Sequence, residues 1–244
     1  MSTSAELGSG LPVAKDQAPA VSASGPARPE AAQGGTRSRI IETTERLFRQ
    51  YGSHKTTVTD IAHALSMSPA NIYRFFHSKD DINAAVCRRL LDALVSVATD
   101  TAHRDATAEE RLRTLLLALA NLNIERSRTD PALHQLLATA SSETWPVMAE
   151  HAERLEAILA AIVAEGMTRG EFRGGDARRA GRCVLVAMTR YLHPALAAEC
   201  NTFSQPTLDD VVEFCLASLR ETPGSGSKRP WPAEHGSNTN RGAQ

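Results

Sequence analysis

The sequence predicts an all-α protein: three short N-terminal helices with a tight turn between the second and third, then a larger helical body. Three observations carry this. Apolar residues recur at spacings of three and four from Arg37 to Leu219, and no alternating apolar and polar stretch reaches a useful strand length. Helix start and stop signals punctuate the pattern at Ser68-Pro69, Asp130-Pro131, Gly170, Gly174-Gly175 and the Pro206-containing stretch 201–206. The composition is that of an ordinary globular chain, with 42% hydrophobic, 23% charged and 5% aromatic residues, and 244 residues can bury a core without staples.

Residues 1–35 are dominated by Ala, Gly, Pro and Ser and have no helical or strand period, so they are expected to be disordered. From Arg37 to Tyr51, Ile40, Ile41, Thr44, Leu47, Phe48 and Tyr51 form one face of an amphipathic helix, and Gly52 supplies its left-handed stop. Thr57 or Thr59 caps a second short helix with Asp60 in its first turn and Ile61 and Leu65 facing inward. Ser66-Met67-Ser68 breaks it. Ser68 followed by Pro69 then starts a third helix, which is expected to run to about Phe76. Ser78, with Asp81 three residues on, caps a long helix from Lys79 to about Ala102. Five more helices are expected, approximately Thr107–Arg128, Pro131–Ala140, Ser142–Arg169, Asp176–Ala198 and Thr207–Leu219. The tail 223–244, rich in Gly, Ser, Pro and Asn, is expected to be disordered.

The net charge of −1 hides a segregation. Residues 36–90 carry nine Lys/Arg and five Asp/Glu, whereas residues 91–222 carry thirteen and nineteen. A basic module joined to an acidic body suggests that one end meets a polyanion. No aliphatic run approaches the roughly 20 apolar residues of a membrane helix, and no cationic segment leading into an apolar run suggests a secretory signal. Cys87, Cys183, Cys200 and Cys215 share no metal or redox spacing, which reads as reduced thiols in a cytoplasmic protein with no metal site and no cofactor. Gly-rich phosphate loops, H-E-x-x-H and G-x-S-x-G are absent from the sequence, so an enzyme is not expected.

Two helices joined by a tight turn form a helix-turn-helix, in which the second projects while the first braces it. Ile61, Leu65, Met67, Ile72 and Phe76 supply the inward face; Tyr73 and Arg74, with Pro69 and Ala70, fall on the other. Residues 36–82 resemble the DNA-binding domain of the TetR family of transcriptional regulators. The matching text is Thr56-Thr57-Val58-Thr59-Asp60-Ile61-Ala62, then Met67-Ser68, Asn71-Ile72-Tyr73, Phe76 and Lys79, followed by the long connecting helix. The helices of residues 83–222 resemble, in layout only, that family's ligand-binding and dimerisation domain.

The resemblance implies roles at these positions. Thr57 would hold a phosphate. Ser68, Pro69, Ala70 and Asn71 would open the recognition helix beside base edges. Tyr73 would reach a phosphate or a thymine methyl, Arg74 a guanine edge or a phosphate, and Lys79 a phosphate. Three of these residues also have a plainer reading, with Thr57 a helix cap, Tyr73 a core-edge aromatic and Lys79 a solvated charge. The family usually has glycine in the turn where this chain has Ser66, which implies a strained turn. It often has histidine where this chain has Phe75, which implies that a polar phosphate donor is missing there.

In the body, polar or polarisable residues set within apolar stretches are the effector-site candidates: Asn123, His134, Trp145, His151, Met188 and Tyr191. Buried residues of these types more often belong to the core. The last two helices, through Ala180, Val184, Val186, Ala187, Tyr191, Val211, Val212, Cys215 and Leu219, are apolar enough to pair with a second copy. The expectation is a homodimeric repressor released from a palindromic double-stranded DNA operator by a small apolar or amphipathic effector, with no membrane association. An activator, or a nucleoid-associated DNA-binding dimer without an inducer, is the alternative.

Overall fold

The structure, a computed structural model, describes residues 29–197 and 206–220. Among these the chain is helical throughout its regular elements. The expected disordered tail 223–244, residues 1–28 and Cys200 lie outside the described residues.

The N-terminal unit is α1 (Pro29–Tyr51), α2 (Val58–Ala64) and α3 (Pro69–Tyr73). α1 starts ahead of the expected boundary, so residues 29–35 are helical where no helix is expected. Proline at the first helical position is compatible with this. A Cβ added at Gly34 or Gly35 would meet nothing within 4 Å, so this extension packs against nothing there. Ile40, Leu47, Val58, Ile61, Ala62, Ile72, Phe76 and Ile82 close the core of the unit. Tyr51, expected on the apolar face of α1, is instead 54% exposed.

Of the two possible caps of α2, Thr57 serves. It forms a capping box with Asp60: the Thr57 hydroxyl accepts the Asp60 N–H at 3.2 Å and the Asp60 carboxylate accepts the Thr57 N–H at 2.8 Å. α2 ends in a Schellman turn, with Met67 N–H donating to Ala62 O at 2.8 Å and Ser66 N–H to His63 O at 3.0 Å. That turn puts Ser66 at φ 55°, in the region where glycine is usual. α3 is shorter than expected. It stops at Tyr73, although Phe75 and Phe76 still donate their N–H groups to Ile72 O.

α4 (Lys79–Ala102) is capped by Ser78 and Asp81 as expected and runs through three apolar clusters. Ile82 belongs to the N-terminal core, Val86, Cys87, Leu90 and Leu91 to a junction cluster, and Val95 and Ala98 to the core of the body. The body comprises α5 (Ala108–Thr129), α6 (Pro131–Ser142), α7 (Pro146–Arg169), α8 (Ala177–Ala187), α9 (Thr189–Leu192), α10 (Pro194–Ala197) and α11 (Leu208–Leu219).

Two expectations are corrected here. α7 begins at Pro146 rather than Ser142, because Ser142 ends α6 and Thr144 turns the chain at φ 54°. The helix expected over Asp176–Ala198 is three pieces. Proline at position 194 has no N–H to give a preceding carbonyl, so α9 ends before it. Gly166 lets α7 approach its neighbours closely, since a Cβ there would lie 2.3 Å from the buried Phe172 ring.

Candidate nucleic-acid interface

The inward face read from the sequence is buried as expected. Ile61, Ile72 and Phe76 are at most 1% exposed, and Leu65 and Met67 are half-buried. On the opposite side, Ser68, Pro69, Ala70, Tyr73 and Arg74 are exposed, with Tyr73 at 47%. Asn71 is half-buried, and its N–H donates to the capping hydroxyl of Ser68 at 3.2 Å. The capping serine and the proline after it fix where α3 begins. The buried Ile72 then fixes its rotation, which leaves Tyr73 and Arg74 outward.

Thr57 is exposed, but its hydroxyl proton already goes to the Asp60 carboxylate at 2.7 Å. Those bonds hold the Asp60 carboxyl below its ordinary range, the Thr57 side chain being the larger cause. A phosphate at Thr57 would therefore have to compete with the cap. Lys79 donates one ammonium N–H to Ser53 O at 2.8 Å, which ties the α1–α2 loop to the start of α4 and leaves two further donors. His54 and Lys55 lie exposed in that same loop, and sequence reasoning did not single them out. Nor did it single out Arg37, whose guanidinium donates to Phe75 O at 2.6 Å and lies 4.0 Å from the Phe76 ring centroid, clamping the end of α3. Phe75 itself is half-buried against the N-terminal core, an apolar role.

The six effector-site candidates separate. Asn123 is buried and donates to Tyr191 O at 3.0 Å, tying α5 to α9. Tyr191 donates its hydroxyl to Pro206 O at 2.5 Å, and Met188 is fully buried in the core of the body. Trp145 precedes α7 and donates its indole N–H to Glu143 at 2.9 Å. These four have fold-building partners. His134 and His151 are held less firmly: Nδ1 of His151 is buried without a hydrogen-bond partner, and neither ring nitrogen of the buried His134 makes a well-formed hydrogen bond, the ring only lying against the Pro194 carbonyl. Burial, with a lesser contribution from Arg126, holds His134 below the ordinary imidazole value against the nearby Pro194 carbonyl. Burial, then Arg154 and Arg126, push His151 down to about 4, with Asp92 opposing.

Arg126 acts on both imidazoles, and sequence reasoning missed it. A basic residue in the last turn of a helix is ordinary there, so nothing in the sequence marked it.

The last two helices divide as well. Ala180, Val184, Val212, Cys215 and Leu219, expected to face a second copy, are buried in this chain's own core. Ala187 is exposed, and the large apolar side chains exposed on these two helices are Val186 at 67% and Phe214 at 69%.

A projecting helix braced by a second one, on a basic unit attached to a helical body, defines a helix-turn-helix DNA-binding regulator of transcription. The chain belongs to the TetR family. Residues 40–86 match the family described as bacterial regulatory proteins, tetR family, and residues 108–212 match the Tetracyclin repressor-like, C-terminal domain. It is similar to the HTH-type transcriptional repressor KstR2 of Mycobacterium tuberculosis, being 25% identical over 139 residues that cover 56% of this chain and 69% of that one. With the HTH-type transcriptional regulator TtgR of Pseudomonas putida the identity is 29% over 169 residues, covering 64% and 76%. In fold it is similar to Thermus thermophilus FadR, a transcriptional repressor solved in complex with lauroyl-CoA, with a TM-score of 0.54, 21% identity, and coverage of 78% of this chain and 100% of that one.

Proposed function

We propose that the protein is a homodimeric repressor that leaves a palindromic operator when a small amphipathic effector enters the body. In this reading Ser68, Pro69, Ala70 and Asn71 lie beside base edges in the major groove, while Tyr73 and Arg74 reach a thymine methyl, a guanine edge or phosphates. Thr57 and Lys79 hold phosphates on either side. The observation that carries the reading is the exposure of Tyr73 and Arg74 directly beside the fully buried Ile72. Val186 and Phe214 support a second copy packing on α8 and α11, which would set two recognition helices about 34 Å apart.

Gel shift on the DNA upstream of the protein's own gene and its neighbours tests this. Tyr73→Ala combined with Lys79→Ala should weaken the complex and flatten the salt dependence by about one unit of slope for each phosphate no longer held. An unaltered affinity and slope in the double variant would place the interface elsewhere. The absence of any salt-sensitive complex with those DNAs would sink the reading as a whole.

A further inference from the structure

Arg126 lies in α5, one turn before the helix ends. Its Nη1 is fully buried and has no hydrogen-bond partner, and no carboxylate forms an ion pair with it among the described residues. The carboxylates whose charge reaches it, Asp130 and Glu45, are engaged by Arg49 at 2.7 and 2.5 Å. The residue as a whole is half-buried, and burying one arm of a guanidinium without an ion-pair partner is costly. Such a group calls for an explanation outside the fold's own bonds. Within reach of its charge stand His134, 7% exposed and set against the Pro194 carbonyl, and His151, whose Nδ1 is buried without a partner. Leu137 and Met148, one turn from the respective imidazoles, belong to the same junction cluster of apolar side chains.

We propose that this cluster binds an organic carboxylate, with Arg126 as its counter-charge, His134 and His151 as flanking N–H donors, and the junction cluster beside its apolar part. The inference rests on the reading of the body as an effector chamber and supplies the chemical class of that effector. A planar carboxylate matches the fork of a guanidinium. Burial favours the neutral form of both imidazoles, so Arg126 supplies the positive charge and suits a monoanion. A dianion would leave one charge buried without compensation. The site lies one helical turn from Asp130, whose carboxylate ties α5–α6 to Arg49 of α1. Effector charge thus enters beside a link to the DNA-binding unit.

The test is thermal melting of the full chain with benzoate, 3-phenylpropanoate and decanoate, each set against its own amide. At about a hundred times its Kd, a bound acid should raise Tm by roughly 5–10 °C while its amide does not. Arg126→Gln should abolish the shift, and Arg128→Gln, at an exposed neighbouring arginine, should keep it. No shift with any acid, equal shifts with acid and amide, or a shift retained in Arg126→Gln would each overturn the proposal. A ligand-free arm is independent of the probes. Arg126→Met removes a charge that has no ion-pair partner and should raise Tm by about 2–4 °C, whereas an unchanged or lowered Tm would mean that Arg126 is already compensated within the fold and would overturn the proposal. Operator occupancy measured on the same samples separates the two readings. An acid that needs Arg126 to bind but releases no DNA supports this site and sinks the repressor mechanism. Release by amides alone does the reverse.

Discussion

Replacing Ser66 with glycine should stabilise the protein, although serine has the side chain and glycine has none. Ser66 sits at φ 55° because the Schellman turn after α2 requires it. A left-handed L-residue costs about 1–2 kcal/mol. Glycine removes that cost but loosens the unfolded chain, which gives back about 0.4–1 kcal/mol. The two turn bonds are made by backbone N–H groups of Ser66 and Met67, so both survive the substitution. The net gain is about 0.5–1 kcal/mol, which for a chain of this size is a Tm rise of about 1–4 °C. Ser66→Val probes the same strain from the other side. A β-branched residue is disfavoured at positive φ, so this variant should melt below the parent. Both are measured by circular dichroism at one protein concentration. A destabilised glycine variant, or a valine variant equal to the parent, would show that strain at this turn is not what sets its energy.

Two further outcomes follow from packing and from burial. Gly166→Ala gains up to about 1 kcal/mol of helix propensity, but its Cβ would lie 2.3 Å from the Phe172 ring and 2.9 Å from the Ala108 Cβ. Both neighbours are buried, so overpacking should win and urea denaturation should show a net loss of about 1–2 kcal/mol. For His151, whose value is pushed down to about 4, the unfolded chain binds a proton between about pH 6.5 and 4 that the folded chain refuses. Stability contributed by the neutral ring is present above that window and is lost as pH falls through it, by about 2 kcal/mol between pH 7 and pH 5. His151→Leu should remove that part of the acid sensitivity, and melting curves at the two pH values check it.

Elements whose ends are fixed locally were legible in the sequence. Ser68-Pro69, Ser78 with Asp81 and the glycine at position 52 act within one turn of themselves, and α3, α4 and the end of α1 fall where they point. Thr57 and Thr59 were equal candidates for the cap of α2. The box with Asp60 decides between them, because only Thr57 stands three residues before it. The start of α7 was misread because Ser142 is as good a cap by residue type as any. Its hydroxyl in fact turns back to Thr139 O at 3.0 Å and closes α6. The exposure of Tyr73 and Arg74 was legible because it needs only the helical period. The isolation of Arg126 was not, since it depends on Asp130 and Glu45 being occupied by Arg49 from another helix. An absent partner leaves no mark in a sequence.

That same arrangement bears on how the body could move the DNA-binding unit. α1 and α4 connect the two, and the packing that matters energetically is apolar: Phe48 of α1, fully buried, packs with Val86, Cys87 and Leu90 of α4 and with Leu133, Leu136 and Leu137 of α6. The ion pairs across the junction, Arg89 with Glu42 and Arg49 with Asp130, join partly exposed groups and contribute little to stability. Their value is directional. Arg49–Asp130 joins α1 to the α5–α6 corner, while Phe48 seats α1 on α6 itself, so α1 should follow α6 as a rigid piece. An effector changes the equilibrium only by its difference in affinity between two placements of α6, and couplings of that kind are commonly about 1–3 kcal/mol. Arg126 and His134 stand on the two helices that meet at Asp130. A ligand bridging them would sense the angle at that corner directly, and the angle is what α1 inherits.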